Sequence, residues 1–294
     1  METELLTDWF RAEGRDLPWR RPECDGWGVL VSEIMLQQTP VKRVLPAWEA
    51  WLRDWPKPSD CAAASQGQVL RAWGKLGYPR RALRLHESAA AIAREHGDVV
   101  PEDVDTLLTL PGIGTYTARA VAAFAYRKRV PVVDTNVRRV VARSVHGLAD
   151  SGAPSANRDL ADVDALLPPE DEAAAVVSAA IMELGALRCT ARTPGCGDCP
   201  IEHGCAWVRA GKPDNSTYTK PVQAYAGTDR HVRGLLLDVL RGTDTPVPKT
   251  RLDLAWPKGG QRDRCLDTLL TDGLVEQLAD GRFALPGEHR PGEH

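Results

Sequence analysis

The chain has 294 residues, 43% hydrophobic and 26% charged, the make-up of a folded water-soluble protein with one large or two modest domains. No run reaches the roughly 18 apolar residues a membrane span needs. Met1 to Arg11 carries Glu2, Glu4 and Asp8 and lacks the apolar core of an export signal, so a cytoplasmic location is expected. The net charge of −3 argues against a nucleic-acid partner unless the charge is segregated, and along the sequence it is. Residues 119–143 hold seven basic side chains and one acidic, and residues 150–172 hold seven acidic side chains and one basic. Either one side of the molecule is basic and another acidic, or these are two ordinary solvated charge runs.

Helical periodicity dominates to about residue 190. The first strong helix runs from Trp27, with Trp27, Leu30, Val31 and Ile34 as its apolar stripe and Glu33 and Gln37 sharing another face. A lone carboxyl in so apolar a helix is either a solvated edge residue or an acid whose proton affinity burial raises. Further helices are predicted over 62–74 and 81–95, punctuated by Pro56 to Asp60, Gly77-Tyr78-Pro79 and Gly97-Asp98.

Leu110-Pro111-Gly112-Ile113-Gly114 separates helices predicted over 104–108 and 115–125. Two glycines permit a turn that side chains would block, and the amides that follow face outward at a helix start. This is the helix-hairpin-helix signature, which grips a DNA phosphate without reading sequence; the alternative is an ordinary corner with a glycine cap. About 20 residues on, Asp134 precedes a helix whose face is Val137, Val140, Val141, Ser144 and Val145. By itself such an aspartate reads as an N-cap.

Of seven cysteines, Cys24, Cys61 and Cys265 are scattered, and Cys61 and Cys265 are expected in apolar cores. Cys189, Cys196, Cys199 and Cys205 are separated by six, two and five residues. Pro194, Gly195, Gly197, Pro200 and Gly204 supply the turns to wrap four thiolates around a metal centre. By ligand chemistry alone, zinc and an iron–sulfur cluster are close competitors. Residues 211–228 read as a linker. Helices over 231–240 and 263–271 and a hairpin around Ala279-Asp280-Gly281 then suggest a small winged-helix-like α+β module, with the tail after Gly287 disordered. The fold class expected for the remainder is all-α.

Six stretches occur in an order that resembles the adenine DNA glycosylases of the MutY family, within the endonuclease III superfamily. They are L-P-W-R at 17–20, S-E-I-M-L-Q-Q-T at 32–39, L-G-Y at 76–78, L-P-G-I-G-T-Y-T-A at 110–118, V-D-T-N-V-R-R-V at 133–140 and the cysteine loop. The likeness covers about residues 5–210. It implies a two-lobed helical core over 1–217, with a six-helix barrel lobe at about 22–130 and a cluster lobe from 1–21 and 131–217; the C-terminal module is then 218–294. The 6, 2, 5 spacing matches the family's loop for one four-iron four-sulfur cluster.

The resemblance also implies roles. Glu33 matches the general acid that protonates adenine, Asp134 the carboxylate that stabilises the oxocarbenium-like sugar, and Asn136 a helper near that sugar. Tyr116 stands where endonuclease III-like enzymes carry a Schiff-base lysine, which implies a monofunctional glycosylase that leaves an abasic site. Trp19, Arg20 and Leu36 match the pocket for the extruded base. Gln38 and Tyr78 match residues inserted into the stack, Thr39 and Leu76 match contacts near the opposing base, and Leu110, Gly112, Gly114 and Thr115 form the phosphate hairpin. The implied partner is double-stranded DNA with a flipped-out adenine opposite 8-oxoguanine or guanine, and the scattered charge points to a monomer with no membrane contact.

Three departures stand out. Pro79 replaces a second tyrosine, Ala179 replaces a common polar pocket residue, and the 77 residues after Thr217 are too few for the Nudix-like domain that recognises 8-oxoguanine. An endonuclease III-like or thymine-mismatch glycosylase acting on pyrimidines is the alternative, and a non-catalytic DNA-binding or cluster-sensor protein is a third reading.

Overall fold

A computed structural model describes residues 1–216 and 225–288. In chain order the helices are α1 (Thr3–Glu13), α2 (Gly26–Leu36), α3 (Val41–Asp54), α4 (Pro58–Ala63), α5 (Gln66–Trp73), α6 (Arg80–Glu95), α7 (Val104–Thr109), α8 (Thr115–Tyr126), α9 (Thr135–Ser144), α10 (Ala156–Asp164), α11 (Asp171–Leu187), α12 (Ala206–Arg209), α13 (Asp229–Arg241), α14 (Lys249–Asp253) and α15 (Gly259–Thr271). The described strands are β1 (Glu276–Gln277) and β2 (Phe283–Ala284). The predicted mostly helical fold is what forms. None of the described helices is long and apolar enough to cross a membrane.

The single helix predicted over 62–74 is two helices. Ser65 stops the first and caps the second: its hydroxyl accepts from the Gln68 amide, and the Gln68 side chain accepts from the Ser65 amide. This reciprocal box satisfies two orphan donors at a helix start, which outweighs continuous apolar spacing.

Two compact units emerge from the chain. The first gathers Met1–Val29, Glu102–Leu108 and 114–216. Its core is one face of α9 (Val137, Val140, Val141) against α11 (Val177, Ile181, Leu184), closed by Leu6 and Trp9 of α1 and by Ile201. Residues 114–130, predicted with the barrel lobe, join this unit because α8 packs on α11: Ala120 and Ala123 are fully buried with Val132, and Tyr116, Phe124 and Met182 lie against them.

The second unit gathers Leu30–Pro101, Thr109–Ile113 and 225–288. Trp51 lies edge-on to Trp73 and Trp55, with ring centres 5.9 and 4.6 Å apart. α4 and α5 both pack on α6.

The described C-terminal residues, expected as a winged-helix-like module over 218–294, cluster with this second unit. The anchor is Arg71 of α5, which donates to both oxygens of Glu288 (2.6 and 2.8 Å) and to the carbonyls of Arg241 and Thr243. Arg241 returns a hydrogen bond to the Leu70 carbonyl at 3.0 Å, and the Gly67 amide donates to Pro286 at 2.8 Å. Glu288 is thus fixed, although the sequence predicts a disordered tail from there; residues 289–294, like 217–224 of the predicted linker, lie outside the described residues. The predicted helices and hairpin are present. α13 packs on α15, Glu276 pairs with Ala284 and Gln277 with Phe283, and Val247 bridges to Phe283.

The charge segregation read from the sequence is partly cancelled in space. Arg129 pairs with Asp164 at 2.8 Å, Arg138 with Asp159 at 2.7 Å, and Arg127 faces Glu172 at 3.7 Å. Three of the seven basic residues of the first run thus pair with acids of the second, so the two runs lie partly against each other. Arg139 and Arg143, the last of the run, turn to the cysteine loop.

Candidate active site and cysteine loop

In the first unit Asp134 caps α9. Its backbone is extended and its Oδ1 accepts from the Val137 amide at 2.7 Å, so the N-cap reading holds. The cap leaves a second oxygen, and Asn136 Nδ2 donates to it at 2.9 Å. Burial raises the Asp134 carboxyl above its ordinary value of 3.8, against the opposing effect of those hydrogen bonds and of the Arg139 charge.

A hydrogen-bonded chain leads from this carboxylate to the cysteines. The Asn136 side-chain oxygen accepts from Arg139 at 2.8 Å, and Arg139 also donates to the carbonyls of Gly185 (2.7 Å) and Cys189 (2.7 Å). Cys189, Cys196, Cys199 and Cys205 line one apolar pocket with Val140, Leu184 and Ile201. Arg143 closes it: the guanidinium lies 4.8 Å from the Trp207 ring centre and donates to the Cys189 sulfur at 3.5 Å and the Thr190 carbonyl at 2.7 Å. Burial holds the Cys199 thiol up at about 11, and the other three sulfurs push the same way. All four cysteines thus line one pocket, while among the described residues no group of three or more His, Cys, Asp or Glu side chains is placed to hold a metal ion. Cys61 and Cys265 are buried as expected, and Cys24 is half-buried with its thiol pushed up by burial to about 11.

Trp19 is buried and Arg20 half-buried in this unit. Tyr116 sits in the first turn of α8, half-buried against Ala120 and Ala123. Gly114 and Thr115 are exposed at the start of that helix, and a Cβ added at Gly114 would meet open space among the described residues.

In the second unit Glu33 is 6% exposed, which removes the solvated-edge alternative. Leu36 is half-buried and Gln38 exposed, with φ +57. Tyr78 is 41% exposed and also left-handed, at φ +48. Thr39 and Leu76 are buried and bonded to each other, the Thr39 hydroxyl donating to the Leu76 carbonyl at 3.2 Å. Of these four positions, only Gln38 and Tyr78 present side chains to solvent. On the hairpin Leu110 is buried and Gly112 has φ +77, where a Cβ would lie 2.6 Å from that of Arg84. Ser88, fully buried, donates to the Pro111 carbonyl at 2.6 Å and fixes the turn.

Residues 31–161 match the family model described as HhH-GPD superfamily base excision DNA repair protein. The chain is 64% identical over 290 residues to the adenine DNA glycosylase of Mycolicibacterium smegmatis, covering 98% of this chain and 97% of that one. The chain belongs to the adenine DNA glycosylase family. The human adenine DNA glycosylase is 39% identical over 213 residues, 68% of this glycosylase and 38% of the human chain. Two solved structures share the fold: a thermostable thymine-DNA glycosylase (TM-score 0.64, 24% identity, covering 71% of this chain and 95% of that one) and a trapped endonuclease III–DNA covalent intermediate (TM-score 0.61, 20% identity, 72% and 95%).

Three arginine hubs of the glycosylase go beyond the reading by motif, which assigned a role to Arg20 alone among them, and only as a pocket residue. Arg139 is one. Arg81 is another: it donates to the carbonyls of Ile34 (2.7 Å) and Gln37 (2.6 Å) at the end of α2 and to Gly77 at 3.1 Å, so it fastens the Glu33 helix to the Tyr78 turn. Burial brings its guanidinium down to about 10. The third is the pair Arg15 and Arg20, both on Glu183 of α11. Arg15 Nε and Nη2 reach it at 2.7 and 2.6 Å, and Arg20 Nη2 at 2.9 Å.

Glu183 is fully buried. Burial alone would raise its carboxyl, but the hydrogen bonds from Arg15 and Arg20 outweigh that and bring it down to about 2. Glu183→Gln is expected to cost about 3 kcal/mol in urea unfolding at neutral pH, the low end for breaking a buried pair because Arg15 remains 35% exposed. The folded value lies below the ordinary 4.5, so this stability is complete above 4.5 and is lost as pH falls toward 2. The gap between variant and parent should therefore shrink at pH 3; a gap that widens there would contradict the ion-pair account.

Proposed function

We propose that this glycosylase hydrolyses the N-glycosidic bond of adenine mispaired with 8-oxoguanine or guanine and, being monofunctional, leaves an abasic site. The observation that carries the proposal is its two carboxyl groups. Glu33 is 6% exposed on α2, and Asp134, its carboxyl raised by burial, caps α9 and accepts from the Val137 amide and Asn136. Two carboxyl groups can divide the roles of acid and anion.

With the adenine turned out of the duplex, Glu33 gives its proton to the base at N7. The C1′–N9 electron pair then leaves with adenine. Asp134, its geometry fixed by Val137 and Asn136, faces the cationic sugar and stabilises it electrostatically. Water adds at C1′, its proton returns to Glu33, and free adenine and an abasic sugar result. Trp19, Arg20 and Leu36 would line the base pocket. The hairpin from Leu110 through Gly112 and Gly114 to Thr115 would hold a phosphate, and Gln38 and Tyr78 would enter the stack. Tyr116 offers no amine for a Schiff base, so no strand cleavage follows. We propose that the enzyme acts as a monomer in the cytoplasm.

The donor set of Cys189, Cys196, Cys199 and Cys205 fits one four-iron four-sulfur cluster: four thiols around a common apolar space, with Arg143 donating to a sulfur. When bound, such a cluster supplies structural cross-linking of the loop. Iron analysis of the purified protein should give about four irons per chain, and Cys199→Ser should lower that ratio. One zinc per chain and no iron would overturn the assignment.

The function is tested with duplexes carrying A:8-oxoguanine, A:G, T:G or thymine glycol, each with and without alkali. Adenine release from the first two, with strand scission only after alkali, is the expected result. Release of a pyrimidine, or scission without alkali, would replace the proposal by the endonuclease III-like or thymine-mismatch reading, and no release at all by a non-catalytic one.

A further inference from the structure

The function proposed above makes no use of the C-terminal residues, yet they reach the turn that carries Tyr78. That turn is tightly constrained. Gly77 has φ +85, Tyr78 has φ +48, and Pro79 follows at the head of α6. A bulky side chain in the left-handed region is strained, and such strain persists where surrounding contacts over-determine it. Here it presents an aromatic ring to solvent.

Two arginines hold the ring. Arg81 of α6 lies 5.4 Å from its centre. Arg230, in the first turn of α13, donates through Nη1 to the Tyr78 hydroxyl at 2.8 Å, its guanidinium carbon 5.7 Å from the Tyr78 ring centre and 5.1 Å from that of Tyr225. Neighbouring arginines are engaged by acids: Arg233 and Arg80 by Asp272, and Arg264 by Asp229. The contacts described for Arg230 are with aromatic groups. An arginine set among exposed aromatic rings is the arrangement on which nucleic-acid bases stack.

We infer that Arg230 is a positioning residue: from the C-terminal part of the chain it sets the Tyr78 ring for insertion into the base stack beside the mispair. The inference rests on the reading of Tyr78 in the proposed function. It gives residues 225–288 a part in recognising the mispair through a tyrosine they do not themselves contain.

The test is a double-mutant cycle on the full-length protein with Arg230→Ala and Tyr78→Phe. It is read by affinity for an A:8-oxoguanine duplex, by the saturating single-turnover rate, and by fluorescence of a 2-aminopurine next to the mispair. Each single variant should weaken mispair binding about five- to tenfold and reduce the 2-aminopurine rise on binding, while the saturating rate stays within about twofold. The double variant should be no weaker than either single one. Arg230→Lys should restore part of the fluorescence change, and Arg282→Ala, whose charge pairs with Asp280, should leave all three readouts at parental values.

Additive losses would overturn the inference, because Arg230 would then act on the DNA by itself. Loss with Tyr78→Ala but none with Arg230→Ala would overturn it while leaving the reading of Tyr78 intact. No loss with Tyr78→Ala would remove that reading and the inference together. Absence of adenine release by the parent would instead count against the proposed function.

Discussion

Glu33→Gln should reduce adenine excision under single-turnover conditions by about a thousandfold or more, within the range expected when a general acid is removed. The substitution is close to isosteric, so it conserves volume at a position only 6% exposed. What changes is the proton. A carboxyl can transfer one to N7 as the C–N bond stretches, and an amide cannot. Binding of the mispaired duplex should be retained, which separates chemistry from folding. A duplex carrying 7-deazaadenine supplies the complementary result: it lacks the accepting nitrogen, so the parent should cleave it as poorly as the variant cleaves adenine. If Glu33→Gln keeps a tenth or more of the parental rate on adenine, the acid lies elsewhere.

Asp134→Asn should also cost about a thousandfold, because a neutral amide cannot offset the charge on a sugar losing its base. Asparagine caps helices well, so the bond from the Val137 amide can persist and α9 should keep its start. Two other changes follow from the environment. The asparagine presents a donor to Asn136 Nδ2, where the parent presents an acceptor, and it removes a buried charge.

The pH dependence isolates the second change. Burial raises the folded Asp134 carboxyl above 3.8, so ionisation costs the parent stability as pH rises through the folded value. Compared by urea unfolding at several pH values, the balance should move toward the parent as pH falls toward 4. Movement in the opposite direction would mean that Asp134 is stabilised as an anion in the free protein. For the same reason the acid limb of parental activity should lie above the pH at which an ordinary aspartate titrates.

Much of the fold was legible in the sequence, for identifiable reasons. Glu33 was not fixed by its own helix, since a carboxyl beside Trp27, Leu30, Val31 and Ile34 reads equally as a solvated edge residue; its role came from the family resemblance, and its burial from the structure. The hairpin shows because Gly112 answers a backbone requirement, at φ +77, although Gly114 is extended and could carry a side chain; the cysteine loop shows because ligand spacing is nearly independent of context. The hubs were illegible. Arg81, Arg139 and Glu183 act through partners 44, 50 and 168 positions away, and no local pattern encodes such distances. The place of residues 225–288 was misjudged for the same reason: a polar linker suggests independence, while the contacts that refute it, Arg71 to Glu288 above all, span 217 residues. Thr39 and Leu76 show the limit of matching motifs, since their positions agree with the family but their side chains face inward.

The mutual neutralisation of Arg127, Arg129 and Arg138 by Glu172, Asp164 and Asp159 bears on how the enzyme patrols a chromosome. Cations already matched to carboxylates displace few condensed ions when a duplex arrives, so neutralising these three arginines should change the salt slope of DNA affinity by less than one phosphate contact each.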